Sequence, residues 1–189
     1  MLGALVASLR PRQWTKNLLI FAGLIFSQGL LQPAMVARSI LAFVIFCLLS
    51  GGIYLINDVM DAEHDRAHPQ KRHRPVASGR LPPRVALVVG AVLLVGASAA
   101  GFLLSTKFGG VSVAYVLLLT AYSIALKHVV IVDTLIIAAG FVLRAMAGVV
   151  VLRIEMSYWL LLCTILLALF LTFGKRRHEL LALEAGAPN

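Results

Sequence analysis

Six apolar runs dominate the 189-residue chain, at residues 18–31, 35–56, 85–104, 111–126, 130–152 and 156–173. A run of about 20 apolar residues is long enough to cross the hydrocarbon core of a bilayer as a helix. With 60% hydrophobic and only 13% charged residues, and a mean hydropathy of +0.94, a water-soluble globular domain is excluded. The pattern predicts an all-α, polytopic transmembrane helical bundle of six spans, one membrane domain over residues 1–189. The first and fourth runs are short for upright spans, so their polar flanks are expected to dip toward the interface.

The net charge of +9 would suit nucleic acid, but its distribution argues against that partner. With six spans, Arg10, Arg12 and Lys16 share a side with the polar segment 57–84, Lys127 and Lys175–Arg177. Only Arg38, Lys107 and Arg153 fall on the other side. The positive-inside rule makes the crowded side cytoplasmic, in a multi-pass cell-membrane protein whose active site faces the cytosol. Leu2, Leu5, Val6 and Leu9 follow helical spacing and predict a short helix lying in the interface. Trp14, Tyr158 and Trp159 fit interfacial belts. Cys47 and Cys163 sit inside apolar runs and read as core thiols. A basic segment precedes the first run without a small-residue cleavage site after it, which predicts a retained anchor rather than a signal peptide.

The polar segment opens NDVMDAEHDRAHPQKRHRP, from Asn57 to Pro75. If helical up to Pro69, Asp58, Asp61 and Asp65 share an arc of roughly 60° on one face at about 100° per residue. Carboxylates that close repel one another unless a cation sits among them. An open set of hard oxygen ligands suits Mg²⁺, which completes its shell with water and substrate phosphates. Lys71, Arg72, Arg74 and Arg80 follow at once and suit phosphate. The combination predicts a Mg²⁺–diphosphate site. Read blandly, it is a polar loop whose acids offset its bases.

Two further constellations are polar. Tyr122, Ser123 and Lys127 close the fourth run. Asp133, Gly140, Arg144 and Gly148 fall within about 80° on the fifth. Ionisable residues inside a membrane span face a wet cavity or the bundle interior, whereas a small-and-polar stripe also serves helix packing. Both readings stay open for Asp133 and Arg144, which lie about 16 Å apart along one helix and do not pair within it. Lys175, Arg176 and Arg177 end the sixth run, where cations either hold phosphate or anchor the helix.

The NDxxDxxxD pattern at Asn57–Asp65, followed by Lys71 and Arg74-Pro75, resembles the first signature of the UbiA superfamily of intramembrane prenyltransferases. Other segments resemble its phosphoribosyl-transferring branch: Arg10–Asn17, Tyr122–Asp133, Gly140–Arg144 and Gly174–Arg177, in family order. The resemblance implies nine transmembrane helices around a central cavity, of which six are present here, so the chain reads as C-terminally incomplete or as completed by self-association. It implies transfer of a phosphoribosyl group from phosphoribosyl diphosphate to a polyprenyl (decaprenyl) phosphate, with Mg²⁺ as cofactor, for cell-wall arabinan precursors. Asn57, Asp58, Asp61 and Asp65 would hold the metal, with Asp58 and Asp61 as the catalytic pair. Lys16, Asn17, Lys71, Arg74, Tyr122, Lys127, Arg144, Lys175 and Arg176 would bind substrate. Many superfamily members carry a second aspartate-rich motif where this chain has Lys175–Glu179. The rivals are transfer of a polyprenyl group from its diphosphate to an aromatic or other acceptor, and membrane transport.

Overall fold

The structure, a computed structural model, describes residues 1–126 and 130–184; within these, the side chains of residues 125, 126, 130, 131, 175, 176, 178–180 and 182–184 lie outside the description. Its regular elements among the described residues are all helices, joined by turns. The principal helices are α1 (Leu2–Ser8), α2 (Ala22–Phe26), α3 (Pro33–Met60), α4 (Ala62–Ala67), α5 (Pro83–Leu104), α6 (Thr106–Ala121), α7 (Val130–Leu152) and α8 (Tyr158–Glu184).

Four helical stretches are long and apolar enough to cross a membrane: Pro33–Met60, Pro83–Leu104, Thr106–Ile124 and Val132–Leu152. Within α8 a shorter apolar stretch runs over Tyr158–Gly174. This is fewer than the six spans expected, and the first run accounts for part of the difference. Residues 18–31 are not one α-helix. A 3₁₀ segment covers Pro11–Phe21, α2 follows, and Gln28 turns the chain at φ 56° before a 3₁₀ turn at Gly29–Leu31. A 3₁₀ helix rises about 2.0 Å per residue against 1.5 Å for an α-helix, so the 11 residues of Pro11–Phe21 extend roughly 22 Å.

Helix α3 is the central strut. Pro33 begins it at a position where a missing N–H does no harm, and its flanks pack on α5, α6, α7 and the Pro11–Phe21 segment. Phe46 meets Phe108 and Tyr115 of α6 at ring-centroid distances of 5.8 and 5.0 Å. With Leu49, Ile45 and Ile20 these form the main core. Against α5, Gly52 and Gly90 let the two backbones approach: a Cβ on either would stand 3.1–3.2 Å from the other's carbonyl oxygen. Without a strong hydrophobic drive between helices in lipid, such small-residue contacts supply the dispersion that holds spans together.

The 3₁₀ segment docks on α7 through a closer contact still. A Cβ on Gly148 would lie 1.9 Å from the carbonyl oxygen of Ile20, and one on Gly23 would meet the Gly148 carbonyl carbon at 3.2 Å. Only glycines fit there. Gly148 of the α7 stripe therefore serves packing, whereas Gly140 lines a cavity.

At the cavity end, the connection between α3 and α5 is folded rather than loose. Val76, Leu81 and Ala62 are buried with Leu55 and Ala86, and Leu5 and Leu9 from and just beyond α1 cover them. The predicted N-terminal helix is present and packs through Leu5, while Leu2 and Val6 stay exposed. Arg66 Nε donates to Ala77 O at 3.3 Å and Arg80 to His73 O at 2.5 Å.

Candidate active site

The expected unbroken helix through the aspartates is interrupted once. Asp61 leaves helical geometry at φ −91°, ψ 2°, dividing α3 from α4. The hydrogen bonds Asp61 N→Asn57 O (2.9 Å) and Asp65 N→Asp61 O (2.8 Å) carry the register across the break. Asp58 and Asp65 consequently still face one partner. Arg74 Nη1 lies 2.7 Å from Asp65 Oδ2 and 3.6 Å from Asp58 Oδ1. Arg10 also donates to Asp58 Oδ1. Both aspartates are buried, at 1% and 3% exposure.

Arg10 adopts a left-handed backbone, φ 52° and ψ 62°, which costs a non-glycine residue on the order of 1–3 kcal/mol. The Asp58 ion pair and the Tyr54 ring, 4.6 Å from the guanidinium carbon, hold it there. Pro11 then starts the 3₁₀ segment, so the strained residue is the hinge that turns α1 into the first run.

These groups open onto a cavity of about 440 Å³. Arg10, Lys16, Arg74 and Arg144 line it, joined by Gln13, Asn57, Tyr122 and Ser123. Among the described residues no carboxylate forms its wall; Asp58 and Asp65 stand behind their arginines. Such a surface attracts anions with several negative charges, and the low dielectric of a membrane bundle strengthens that attraction.

Residues Tyr122–Leu126 form a π-helical turn at the end of α6, a deviation that often re-aims side chains at functional sites. It brings the Tyr122 hydroxyl onto Asp133 Oδ1, joining two of the sequence constellations. Arg144 is reached from the 3₁₀ segment: its Nε donates to Asn17 Oδ1 at 2.8 Å, while Nη1 and Nη2 donate to Gly140 O at 2.8 Å and Tyr115 Oη at 2.6 Å. Asn17 is itself fully buried and donates toward Cys47 Sγ and Ser50 Oγ at 3.3 and 3.4 Å.

Of the residues singled out from sequence, Lys16, Asn57, Arg74, Tyr122 and Arg144 converge on the cavity. Asp58, Asp65 and Asn17 lie one contact behind it. Lys71 is exposed on the turn Lys71–His73 and is not part of the wall. Asp61 is half-buried and engaged in a contact of its own. Lys127 and the side chains of Lys175 and Arg176 lie outside the described residues. Arg10, Gln13, Tyr54 and Tyr115 were not singled out; Arg10 and Gln13 belong to the segment that carried the resemblance, but no local pattern marks them.

Two apolar hollows lie nearby, the first sharing lining residues with the cavity. Lys16 and Phe141 also border one of about 190 Å³, together with Leu19, Thr164 and Leu167. Those last three border the next, about 440 Å³, which ends at Phe26 and Trp159. Beside the cationic cavity, then, lies apolar space bordered by the first run and α8.

Fold and site define a polytopic helical membrane protein with a cation-lined cavity and apolar hollows beside it. The chain belongs to the UbiA prenyltransferase family, whose model matches residues 4–177. It is 40% identical over 192 residues to the decaprenyl-phosphate phosphoribosyltransferase of Mycolicibacterium smegmatis, covering 99% of this chain and 60% of that one. To the enzyme of the same name from Mycobacterium tuberculosis it is 37% identical, covering 99% and 64%. The chain thus spans about 60% of the length of these curated relatives. Its fold matches a UbiA homolog from Archaeoglobus fulgidus, solved bound to DMAPP and Mg²⁺, with a TM-score of 0.75 at 21% identity over 87% of this chain and 60% of that one.

Proposed function

We propose that this chain transfers a phosphoribosyl group from phosphoribosyl diphosphate to a polyprenyl phosphate. The observation that carries the reading is the cavity: four cationic side chains around a chamber with apolar hollows beside it. A phosphorylated sugar and a lipid phosphate together need that combination, polar charge-holding space at one end and room for hydrocarbon at the other. The relatives named for this reaction support it.

In the reaction a phosphate oxygen of the lipid attacks the anomeric carbon. The bond from that carbon to diphosphate breaks, and its electron pair leaves with diphosphate. The lipid phosphate is already anionic, so no general base is required. Arg10 and Arg74 stand where the charge growing on diphosphate is met by fixed guanidiniums, which need not reorganise as the bond breaks. Lys16, at the junction of cavity and groove, suits the lipid phosphate. Tyr122, held by Asp133, orients rather than charges the ligand.

Mg²⁺ fits this donor set. Among the described residues, no three His, Cys, Asp or Glu side chains gather into a metal cluster. Mg²⁺ asks for less: one or two carboxylates, with waters and substrate phosphates completing the octahedron. Asp58 and Asp65 use one oxygen each on their arginines, and Asn57 adds an amide oxygen at the cavity wall. Asp58, Asp65 and Asn57, with Asp61 beside them, would hold the ion, which would supply charge neutralisation on the leaving diphosphate. The cavity end carries most of the described cations, which supports an active site facing the cytosol.

The test is transfer of labelled phosphoribosyl diphosphate onto polyprenyl phosphate in membranes holding the protein, with and without Mg²⁺. Metal-dependent label in the lipid phase is expected. Absence of lipid label from well-folded protein, together with consumption of a prenyl diphosphate, would move the assignment to prenyl transfer.

A further inference from the structure

A guanidinium inside a membrane bundle ordinarily carries a carboxylate with it, because only an opposite charge or open water offsets its desolvation. Arg10 and Arg74 obey this rule with Asp58 and Asp65. Arg144 does not. It is 6% exposed, and among the described residues it forms no ion pair. Its three nitrogens rest on neutral acceptors, Asn17 Oδ1, Gly140 O and Tyr115 Oη. A guanidinium has five N–H donors, so these bonds leave two for another partner. The Tyr115 and Phe141 rings, 4.8 and 5.5 Å from its central carbon, fix its plane and add only a quadrupole. The side chain nevertheless forms part of the cavity wall. The fold thus holds one rigid, unmatched positive charge at the chamber's surface.

We propose that Arg144 is a second anion subsite, chemically distinct from the arginine–aspartate group, which takes a phosphate monoester and leaves its charge for that ligand to match. The inference rests on the phosphoribosyl-transfer reading. Two substrates bring such a group to the chamber: the lipid acceptor and the 5-phosphate of the ribosyl donor. Both present the same chemistry, three terminal oxygens suited to a fixed guanidinium. The diphosphate instead belongs at Arg10 and Arg74, where carboxylates can share a metal with it.

The discriminating variant is Asn17→Asp. It places a carboxylate where Oδ1 already accepts the Arg144 Nε, giving the guanidinium an internal counter-ion at unchanged side-chain size. Binding of inorganic phosphate to the purified chain in detergent is measured by titration calorimetry, with melting temperature recorded on the same samples. Asn17→Asp is expected to stay folded, its new ion pair offsetting the amide donors lost toward Cys47 and Ser50, yet bind phosphate at least tenfold more weakly. Folded Asn17→Asp with parental affinity overturns the proposal. If that variant does not fold, Arg144→Lys and Arg144→Gln decide: the lysine form should retain clearly more phosphate binding, and equal affinities overturn the subsite.

Transfer assays then separate the sources. A raised KM for polyprenyl phosphate in Asn17→Asp assigns the subsite to the acceptor. A raised KM for phosphoribosyl diphosphate, with lost discrimination against ribosyl diphosphate lacking the 5-phosphate, assigns it to the donor. Unchanged KM for both overturns it. Because phosphate binding is read without turnover, Arg144-dependent binding in a protein that transfers no phosphoribosyl group refutes the reaction and keeps the subsite.

Discussion

Arg144 of α7 and Asn17 of the 3₁₀ segment are joined by a 2.8 Å hydrogen bond across 127 positions of sequence. It ties the 3₁₀ segment to the cavity wall from a point where both side chains are buried. Replacing Asn17 by leucine keeps the volume and removes the acceptor, leaving a buried charged donor short of a partner. A loss of about 1–3 kcal/mol is expected for such a group. Thermal unfolding in detergent should show a clear drop for Asn17→Leu, and a smaller one for the exposed Gln13→Leu.

The same docking depends on Gly148. A methyl group there would stand 1.9 Å from Ile20 O, a backbone atom that cannot swing aside. Gly148→Ala must push the 3₁₀ segment off α7, at the roughly 1–3 kcal/mol or more that overpacking costs, and must shift Lys16 and Asn17 with it. Gly174→Ala is the control, since nothing lies within 4 Å of its added Cβ. Loss of both stability and activity is expected in the first variant and of neither in the second; equal behaviour would contradict the contact.

What the sequence disclosed and what it hid differ by range. Hydropathy located α3, α5, α6, α7 and α8 because each is a local apolar run, and for α7 its bounds agree with the run itself, Val130–Leu152. The aspartates were legible because their spacing is helical and survives the break at Asp61. The failure at residues 18–31 is also physical: hydropathy counts apolar residues and does not register the 3₁₀ geometry and the left-handed turn at Gln28 that divide the run. Arg10 looked like one more interfacial cation. Its partners, Tyr54 and Asp58, are more than 40 positions away, and a left-handed φ before a proline has no signature in residue type. Arg144 stayed ambiguous between packing and function; the structure shows it meeting Asn17 and Tyr115 while forming part of the cavity wall.

Asp58 and Asp65 test the metal-facing end. Asp58→Asn leaves Arg10 without its charge partner; because the guanidiniums of Arg10 and Arg74 are 28% and 29% exposed, the stability loss should fall below the 3–5 kcal/mol typical of breaking a fully buried pair. Activity should fall much further, by two orders of magnitude or more, if the carboxylate also serves Mg²⁺. Membrane insertion, followed by fractionation, should be unaffected. Near-parental turnover in both Asp58→Asn and Asp61→Asn would refute the metal assignment. A chelator should abolish transfer by the parent protein, and added Mg²⁺ should restore it.

The groove beyond Lys16 yields the prediction that separates lipid from sugar. Leu167 borders both apolar hollows and is 53% exposed, so a tryptophan there fills groove without straining the core. Hydrocarbon bound in that groove contributes about 0.8 kcal/mol per buried methylene, and displacing even two of them weakens binding roughly tenfold. Leu167→Trp should therefore raise the KM for a long polyprenyl phosphate about tenfold and leave the KM for phosphoribosyl diphosphate unchanged. A short-chain lipid phosphate that never reaches Leu167 should be used equally well by both proteins. If the long and short acceptors respond alike, the hydrocarbon does not lie between the first run and α8, and the groove has another occupant.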